Sequence, residues 1–189
     1  MQYTFKDANG KQFYTFTFEK GLNLGSGPHP LTGFVNVDYY FPADVRHDLN
    51  KFPYPFKDES FDFILASAIM EHLDDDIAFL KECHRLLKKR GKILISVPHQ
   101  FSAWRTNPEH KRSYTWQWFD YFVKPTKEAL DIKKDFVFSR IIKRKFEFYW
   151  KKQFWNRFFS LICNKYPLFY ESSFLRSFPC NHVFCIYEK

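Results

Sequence analysis

Two glycines and an aspartate form the stretch of this sequence best suited to chemistry. Gly25 and Gly27 follow the mainly apolar run Leu22-Asn23-Leu24, and Asp38 ends a second mainly apolar run that begins at Phe34. Each run predicts a short buried strand that breaks at a turn or a charge. Ligands of open α/β sheets lie beyond the carboxyl ends of the strands. The two strand ends therefore predict a nucleoside site, with the backbone close to the ligand and the carboxylate on the ribose hydroxyls.

The spacing of these residues separates two classes of nucleoside cofactor. A dinucleotide-binding turn has three glycines, opens a helix on the pyrophosphate, and has its acidic residue about 20 residues further on. Here Asp38 comes eleven residues after Gly27, and this gap cannot hold both a helix and a strand. Without a helix N-terminus aimed at the site, a pyrophosphate loses its preferred partner. A ligand with ribose and adenine but no phosphates, such as S-adenosylmethionine, fits the spacing better.

Four further motifs follow the glycine turn. They are His47-Asp48-Leu49, Phe52-Pro53-Tyr54-Pro55-Phe56, the run over residues 60–67, and Met70-Glu71-His72-Leu73. Together with the glycine turn, they resemble the class I S-adenosylmethionine-dependent methyltransferases. The resemblance is greatest to a compact bacterial, type 11-like group whose first helix is shortened to a loop. It is specific over residues 22–98 and looser towards the last strand.

The resemblance implies a doubly wound, Rossmann-like α/β fold, with a mostly parallel seven-stranded sheet and an antiparallel last strand. The local patterns agree. Asn9-Gly10 predicts a hairpin over residues 2–18 that caps the sheet, and a helix is predicted from a cap at Asp74 to a last turn at residues 88–90. Strands are predicted over residues 22–24, 34–37, 44–48, 61–66, 92–97, 135–142 and 182–187, and a further helix over 116–130.

The resemblance also assigns residues to S-adenosylmethionine. The glycine turn faces the methionine part and the ribose, Asp38 accepts bonds from the ribose hydroxyls, and Asp48 with the Leu49 amide binds the adenine. A solvated strand end for Asp38 and a turn-capping role for Asp48 are the structural alternatives. The complete set of predicted cofactor-binding residues is Leu24, Gly25, Ser26, Gly27, Asp38, Tyr39, Asp48, Leu49, Ala66 and Ser67.

Histidines after the fourth and fifth sheet strands are the candidates on the acceptor side. A histidine can act as a general base near neutral pH, and we predict Glu71, His72 and His110 as the catalytic residues. His99 is a further candidate, and a structural role is the alternative for each of His72, His99 and His110. Some relatives bind Mg²⁺ through Glu-x-x-Glu-His and a further histidine, but Ala68 stands at the first of these positions. Because Mg²⁺ prefers oxygen ligands, we expect no catalytic metal.

Cysteine usage and hydropathy indicate the compartment. Cys83, Cys163, Cys180 and Cys185 show no Cys-x-x-Cys spacing, which is typical of free thiols in the cytosol. No apolar run approaches the roughly 20 residues of a membrane span, and charged residues interrupt the start of the chain. We therefore expect a cytoplasmic protein, either free or peripheral at the inner face of the membrane.

The formal net charge of +8 lies in one segment. Residues 133–165 hold ten Lys and Arg residues against Asp135 and Glu147, so that the rest of the chain is neutral. We expect a single methyltransferase domain over residues 1–189, interrupted before its last strand by an aromatic and basic insertion at 143–181.

The insertion is open to four interpretations. Its apolar face predicts a helix packed on the sheet or against a second copy of the chain in a homodimer. The others are a lid over the acceptor pocket, a membrane-surface helix through residues 143–162, and a nucleic-acid face.

The sequence thus predicts an enzyme that transfers a methyl group from S-adenosylmethionine to oxygen or nitrogen of a small molecule, such as a sugar, a lipid headgroup or a related metabolite. One alternative is an RNA methyltransferase that uses the basic segment 133–165, although we do not expect nucleic acid as a partner. The other is a non-catalytic, membrane-associated module that keeps a nucleoside pocket.

Overall fold

The computed structural model describes residues 1–7, 9–123, 138–148, 155–178 and 180–189. Strands β1 (Gln2–Lys6) and β2 (Gln12–Thr17) form a hairpin. The main sheet of the described residues contains seven strands, in the order β5-β4-β3-β6-β7-β9-β8. These strands are β3 (Gly21–Leu24), β4 (Phe34–Asp38), β5 (Val45–Arg46), β6 (Phe61–Ser67), β7 (Leu87–Pro98), β8 (Arg140–Glu147) and β9 (His182–Glu188).

Three α-helices and four short 3₁₀-helices accompany the strands in the described ranges. None of these helices is long and apolar enough to cross a bilayer. The α-helices are α1 (Asp76–Leu86), α2 (Trp155–Lys165) and α3 (Pro167–Ser172), and the 3₁₀-helices cover Met70–His72, Ala103–Thr106, Gln117–Phe122 and Phe174–Ser177.

The direction of the strands is that of the predicted doubly wound fold. Strand β3 is parallel to both β4 and β6, and β7 is parallel to β6. The last strand, β9, lies antiparallel between β7 and β8. All four residues of β3 are buried, as expected for a central strand of a parallel sheet that is covered on both faces. The prediction of a mostly parallel seven-stranded sheet with an antiparallel last strand is therefore confirmed.

The two faces of the sheet are covered by different structures. Side chains alternate along β6, so that Ile64 joins the cluster that includes α1, whereas Phe63 joins a second cluster on the opposite face. The N-terminal hairpin covers this second face, where Phe16 stacks on Phe63 with ring centroids 4.0 Å apart. The predicted hairpin that caps the sheet is confirmed.

A loop takes the place of the usual first helix, as predicted. The residues between β3 and β4 form turns and bends, and the buried side chain of Asn36 organises them. Its Oδ1 accepts bonds from the Leu31 amide at 2.8 Å and from Asn23 Nδ2 at 3.0 Å. Its Nδ2 donates to Leu31 O at 3.0 Å and to Asp44 Oδ2 at 3.0 Å. A buried amide with this many partners holds the loop against β4.

Both predicted ends of the first long helix are wrong. Asp75, not Asp74, is the N-cap: its backbone is extended and its Oδ1 accepts a bond from Ala78 N at 2.8 Å. At the other end, α1 stops at Leu86, and residues 87–90 belong to β7 rather than to a last helical turn. Pairing of Leu87 with Phe61 in the sheet is the reason, because the strand ladder satisfies the backbone there.

Asp75→Ala is expected to lower the free energy of unfolding by about 1 kcal/mol, the usual cost of losing an N-cap. Asp74→Ala is the matched control, because it removes the neighbouring carboxylate, which pairs with the exposed Lys111 among the described residues. Such a surface pair contributes about 0–1 kcal/mol, and we expect the smaller loss for this variant. Urea denaturation followed by circular dichroism measures both, and a larger loss for Asp74→Ala would contradict the assignment of the cap.

The C-terminal strands also differ from the predicted boundaries. The strand predicted over residues 135–142 begins at Arg140 in the described part of the chain and runs on to Glu147. Residues 143–147, predicted as the start of the insertion, thus lie in the sheet, while residues 135–137 lie outside the described ranges. The predicted third strand shrinks to Val45–Arg46.

The helix predicted over residues 116–130 appears as the 3₁₀-helix Gln117–Phe122. Residues 124–130 of that prediction lie outside the described ranges. Tertiary pairing has also shaped this segment, because Val123 forms a bridge with Phe138 that ends the helical turn.

Candidate cofactor and acceptor site

The pairing register of the sheet places the predicted site residues Gly25, Asp38 and Ser67 at the same level. Leu24 of β3 lies opposite Val37 of β4 and opposite Ala66 of β6. The residues that follow them, Gly25, Asp38 and Ser67, therefore lie side by side at the carboxyl edge of the sheet. This is the edge at which open α/β sheets bind their ligands.

The glycine turn folds back over the end of β4. Gly25 and Gly27 have φ angles of +69° and +59°, and the amides of Gly25 and Ser26 donate to Val37 O at 2.9 and 3.1 Å. A Cβ atom on Gly25 would lie 2.7 Å from Ile69 Cγ1, whereas one on Gly27 would meet no heavy atom within 4 Å. The turn is thus closed by Ile69 at Gly25 and open at Gly27.

Asp38 is a charged, nearly buried group with 8 % of its surface exposed. Its Oδ2 accepts a bond from Gly27 N at 2.8 Å, and its Oδ1 accepts bonds from the amides of Tyr40 and Phe41 at 2.9 and 3.0 Å. Burial opposes ionisation, but the backbone N–H groups outweigh it and lower the pKa of Asp38. Asp38 is therefore not a solvated aspartate at a strand end, which was the structural alternative.

The carboxylate of Asp38 keeps some capacity for a ligand. Of the loop amides at hydrogen-bond distance, two donate to Oδ1 and only that of Gly27 donates to Oδ2, so Oδ2 is the oxygen better able to accept a bond from a ligand hydroxyl. The Oγ of Ser26 is buried and has no partner in the described part of the chain. A polar ligand atom would satisfy this hydroxyl, so the turn and Asp38 fit the ribose of a nucleoside.

Asp48 and Leu49 follow β5 at the same edge, where the amide of His47 donates to Asp38 O at 3.1 Å. Asp48 Oδ1 accepts a bond from Asn50 N at 3.0 Å, which is the turn-capping geometry. Leu49 is buried, and its carbonyl oxygen accepts a bond from Tyr54 Oη at 2.9 Å. The adenine role of Asp48 and Leu49 remains a prediction.

The remaining predicted cofactor residues differ in exposure. Leu24 and Ala66 are fully buried, so only their backbone can approach a ligand. Ser67 is half-buried. Tyr39 is 44 % exposed, and its ring lies under the Arg46 guanidinium, 5.2 Å from Cζ. The side chain of Tyr39 is thus directed to the surface.

The structure brings together the three residues predicted for the acceptor side, which we call the Glu71 cluster (Glu71, His72 and His110). One ligand atom of each lies within 4.8 Å of the others, and the rings of His72 and His110 meet edge to face at 4.7 Å. Glu71 is only 1 % exposed and its Oε2 has no partner among the described residues. Burial raises the pKa of Glu71 to about 7. Burial and the neighbouring His72 lower the pKa of His110.

Backbone and ion-pair contacts hold His110 against the 3₁₀-helix that carries Glu71 and His72. The amide of Lys111 donates to Glu71 O at 2.8 Å. The side chains of Lys111 and Arg112 pair with Asp74 and Asp76 at the start of α1. The loop after β7 is thereby fixed next to the end of β6.

His99 does not join this cluster. It is fully buried, and its Nε2 lies 2.8 Å from Glu171 Oε1, which also accepts a bond from Trp116 N at 2.7 Å. The ring of His99 packs against Phe146 and Tyr170. The structural interpretation of His99 is therefore the one that the geometry supports.

Sequence analysis missed two residues at this edge. Ile69 covers Gly25, and His182 is close enough to the Glu71 cluster to oppose part of the rise in the pKa of Glu71 and to add to the lowering of the pKa of His110. The signal for His182 was available, because it opens the predicted last strand and lies opposite Pro98 in the antiparallel pairing. Ile69 carried no such signal.

The comparisons with known proteins agree with this geometry. A methyltransferase-domain family model matches residues 35–95. An uncharacterized protein of Methanocaldococcus jannaschii is 31 % identical over 87 residues, which are 46 % of this chain and 42 % of that protein. A protein of Mycolicibacterium smegmatis, described as a probable S-adenosylmethionine-dependent methyltransferase, is 37 % identical over 78 residues, 39 % of this chain and 30 % of that protein. The chain thus matches less than half of the length of either relative.

Solved structures extend the likeness to most of the chain. A SAM-dependent methyltransferase from Archaeoglobus fulgidus has a TM-score of 0.58 and 16 % identity, covering 90 % of this chain and 86 % of that one. One from Thermotoga maritima has a TM-score of 0.54 and 17 % identity, covering 90 % and 82 %. At identities of 16 % and 17 %, this similarity shows that the chain shares their fold. Residues 35–95 thus match a methyltransferase-domain family, and the fold around them is that of S-adenosylmethionine-dependent methyltransferases.

Proposed function

We propose that the protein transfers a methyl group from S-adenosylmethionine to an oxygen or nitrogen atom of a small molecule such as a sugar, a lipid headgroup or a related metabolite. The observation that carries this proposal is the carboxyl edge of β3, β4 and β6. There an open glycine turn, the unpartnered Ser26 hydroxyl and the charged Asp38 lie together. S-adenosylmethionine supplies the methyl group as an electrophile, so the protein has to align the acceptor and manage its proton.

The residues divide into a cofactor side and an acceptor side. The glycine turn and Asp38 hold the ribose, and Asp48 with the Leu49 amide receives the adenine. The Glu71 cluster lies on the acceptor side, because Ile69, which covers Gly25, is only two residues before Glu71 in the chain. Its three side chains orient the acceptor and favour the loss of its proton.

The basic residues of β8 favour a small acceptor over RNA. Lys143 Nζ donates to Phe13 O at 2.7 Å, and Lys145 Nζ lies 2.7 Å from Asp7 Oδ2, so both bind the N-terminal hairpin to the sheet. Arg144 pairs with Asp120 at 3.0 Å, and Arg140 pairs with Glu188 at 3.1 Å. Cations engaged within the protein contribute little to a phosphate-binding surface. The basic residues 151 and 152 lie outside the described ranges.

Peripheral membrane contact and a homodimer remain predictions for the insertion. Strand β8 takes up residues 143–147, and the exposed apolar side chains lie further along the chain. Phe158 and Leu161 on α2 are 63 % and 67 % exposed, and Leu168 and Phe169 on α3 are 51 % and 55 % exposed. Among the described residues of the insertion, either kind of contact would therefore use α2 and α3 rather than residues 143–147.

Parallel calorimetric titrations with S-adenosylmethionine, its demethylated product and NAD test the cofactor class. We expect the first two to bind with dissociation constants in the micromolar range, and NAD to bind at least about 100-fold more weakly, because the turn offers no helix N-terminus to a pyrophosphate. Binding of NAD that equals that of S-adenosylmethionine would contradict the proposal. An unchanged affinity for the cofactor between low and high salt is expected as well, since the cofactor carries no phosphate.

A further inference from the structure

The Glu71 cluster has the composition and placement of a metal site. It combines one carboxylate and two imidazoles, and one ligand atom of each residue lies within 4.8 Å of the others. Glu71 is 1 % exposed, and its Oε2 has no hydrogen-bond partner among the described residues. The Nδ1 of His110 is likewise buried without a partner there. Two potential ligand atoms that lack a partner therefore belong to one cluster.

A buried carboxylate oxygen without a partner, such as Oε2 of Glu71, is costly, because its desolvation is not offset by a hydrogen bond of its own. His182, outside the cluster, already has another carboxylate beside it, because its Nδ1 lies 3.3 Å from Glu147 Oε2. A divalent cation held between the carboxylate and the two imidazoles offsets this cost and uses both unpartnered atoms.

We propose that Glu71, His72 and His110 bind a divalent first-row transition-metal ion such as Zn²⁺. Two imidazoles and one carboxylate are typical ligands of zinc and of non-haem iron, whereas Mg²⁺ prefers a set of oxygen ligands. The replacement of a carboxylate by Ala68, which argues against Mg²⁺, therefore leaves a site for a softer cation. Three protein ligands keep a coordination position open, where an oxygen of an acceptor or of water binds.

The scaffold supports the ligands without the metal. Glu71 and His72 are consecutive residues of a 3₁₀-helix, and His110 is held beside them by the bond from Lys111 N to Glu71 O. The ion pair of Arg112 with Asp76 fixes the same loop to α1. Ligands that are held by their surroundings bind a metal with a smaller cost in conformational entropy.

The test uses the full chain without a polyhistidine tag, freed of metal with a chelator and titrated separately with Zn²⁺ and Mg²⁺. Metal retained after gel filtration is counted by mass spectrometry. We expect one Zn²⁺ per chain and an affinity for Mg²⁺ at least about 100-fold lower. Glu71→Gln and His110→Ala should each weaken Zn²⁺ binding at least about tenfold. His29→Ala, which removes an exposed imidazole outside the cluster, should leave binding unchanged.

The visible spectrum of the Co²⁺-loaded protein identifies the ligands even if a variant fails to fold. Weak d–d bands without intense thiolate charge-transfer bands are expected for nitrogen and oxygen ligands. Thiolate bands would place the ion at the cysteines and overturn the proposal. Equal Zn²⁺ binding by the wild type and Glu71→Gln would also overturn it, and so would a wild type that retains no Zn²⁺, which would mean that Glu71 is simply protonated. The titrations contain no S-adenosylmethionine, so their failure is separate from a failure of the proposed function.

Discussion

Asp38→Ala is expected to weaken the binding of S-adenosylmethionine and of its demethylated product by about 10- to 100-fold, since hydrogen bonds to a charged group contribute about 1.5–3 kcal/mol and about 1.4 kcal/mol corresponds to a factor of ten. The substitution removes the proposed partner of the ribose hydroxyls. It also releases the amide of Gly27, which Asp38 Oδ2 holds at 2.8 Å, so the glycine turn loses its preorganised shape. Isothermal titration calorimetry at neutral pH measures both ligands.

Asp44→Ala is the matched control for this prediction. Asp44 is an exposed carboxylate in the loop after β4, and like Asp38 it accepts a backbone bond, from Asn36 N at 2.7 Å. In the described part of the chain it makes no hydrogen bond to the glycine turn, so its removal should change the affinity by less than about threefold, or roughly 0.6 kcal/mol. Asp38→Asn keeps one acceptor oxygen and should fall between the two. An Asp38→Ala variant that remains folded and binds as tightly as the wild type would remove the ribose role of Asp38.

The sequence was sufficient to predict the strands near the site, because each is a short apolar run that ends in a glycine, a charge or a proline. The absence of a first helix followed from the short spacing, because Asp38 comes only eleven positions after Gly27. The sequence did not predict that Asn36 would be buried and would organise that loop. Its partners Leu31 and Asp44 lie on either side of it in the chain, and only the folded loop brings them together.

The C-terminal end of α1 shows where local patterns fail. Residues 88–90 are basic and precede Gly91, which is typical of the last turn of a helix. Leu87 nevertheless pairs with Phe61 in the sheet, and the chain becomes extended at Leu87. A tertiary strand pairing has overridden a local helical preference of a few tenths of a kcal/mol per residue, and no pattern within the segment indicates it.

The Glu71 cluster was predictable from the sequence only in part. The positions of Glu71 and His72 after β6 followed from the motif, but the approach of His110 depends on a loop that has no regular pattern. The bond from Lys111 N to Glu71 O and the pairing of Arg112 with Asp76 determine that approach. These contacts join residues more than 30 positions apart, which a single sequence does not reveal.

Gly25→Ala is expected to lower the free energy of unfolding by about 2–5 kcal/mol and to abolish measurable binding of S-adenosylmethionine. A φ of +69° costs a residue with a Cβ about 1–2 kcal/mol. The new Cβ would also lie 2.7 Å from Ile69 Cγ1 and 2.9 Å from Ile69 Cβ, and overpacking of this kind costs about 1–3 kcal/mol more. Chemical denaturation and calorimetry measure the two effects.

Gly27→Ala separates backbone strain from the contact with Ile69. Its φ of +59° imposes a similar strain, but its Cβ would meet no heavy atom within 4 Å. We expect this variant to lose only about 1–2 kcal/mol of unfolding free energy, which is the cost of the backbone strain. Equal losses of unfolding free energy for the two glycine variants would show that Ile69 moves aside without an energetic cost.

The clash at Gly25 also reaches the acceptor side. Ile69 Cβ cannot rotate away as a side-chain end can, and the Ile69 carbonyl accepts the amide of His72 at 3.0 Å. Relief of the clash at Gly25 must therefore shift the 3₁₀-helix that carries Glu71 and His72, so that one methyl group on the cofactor side disturbs the acceptor side as well.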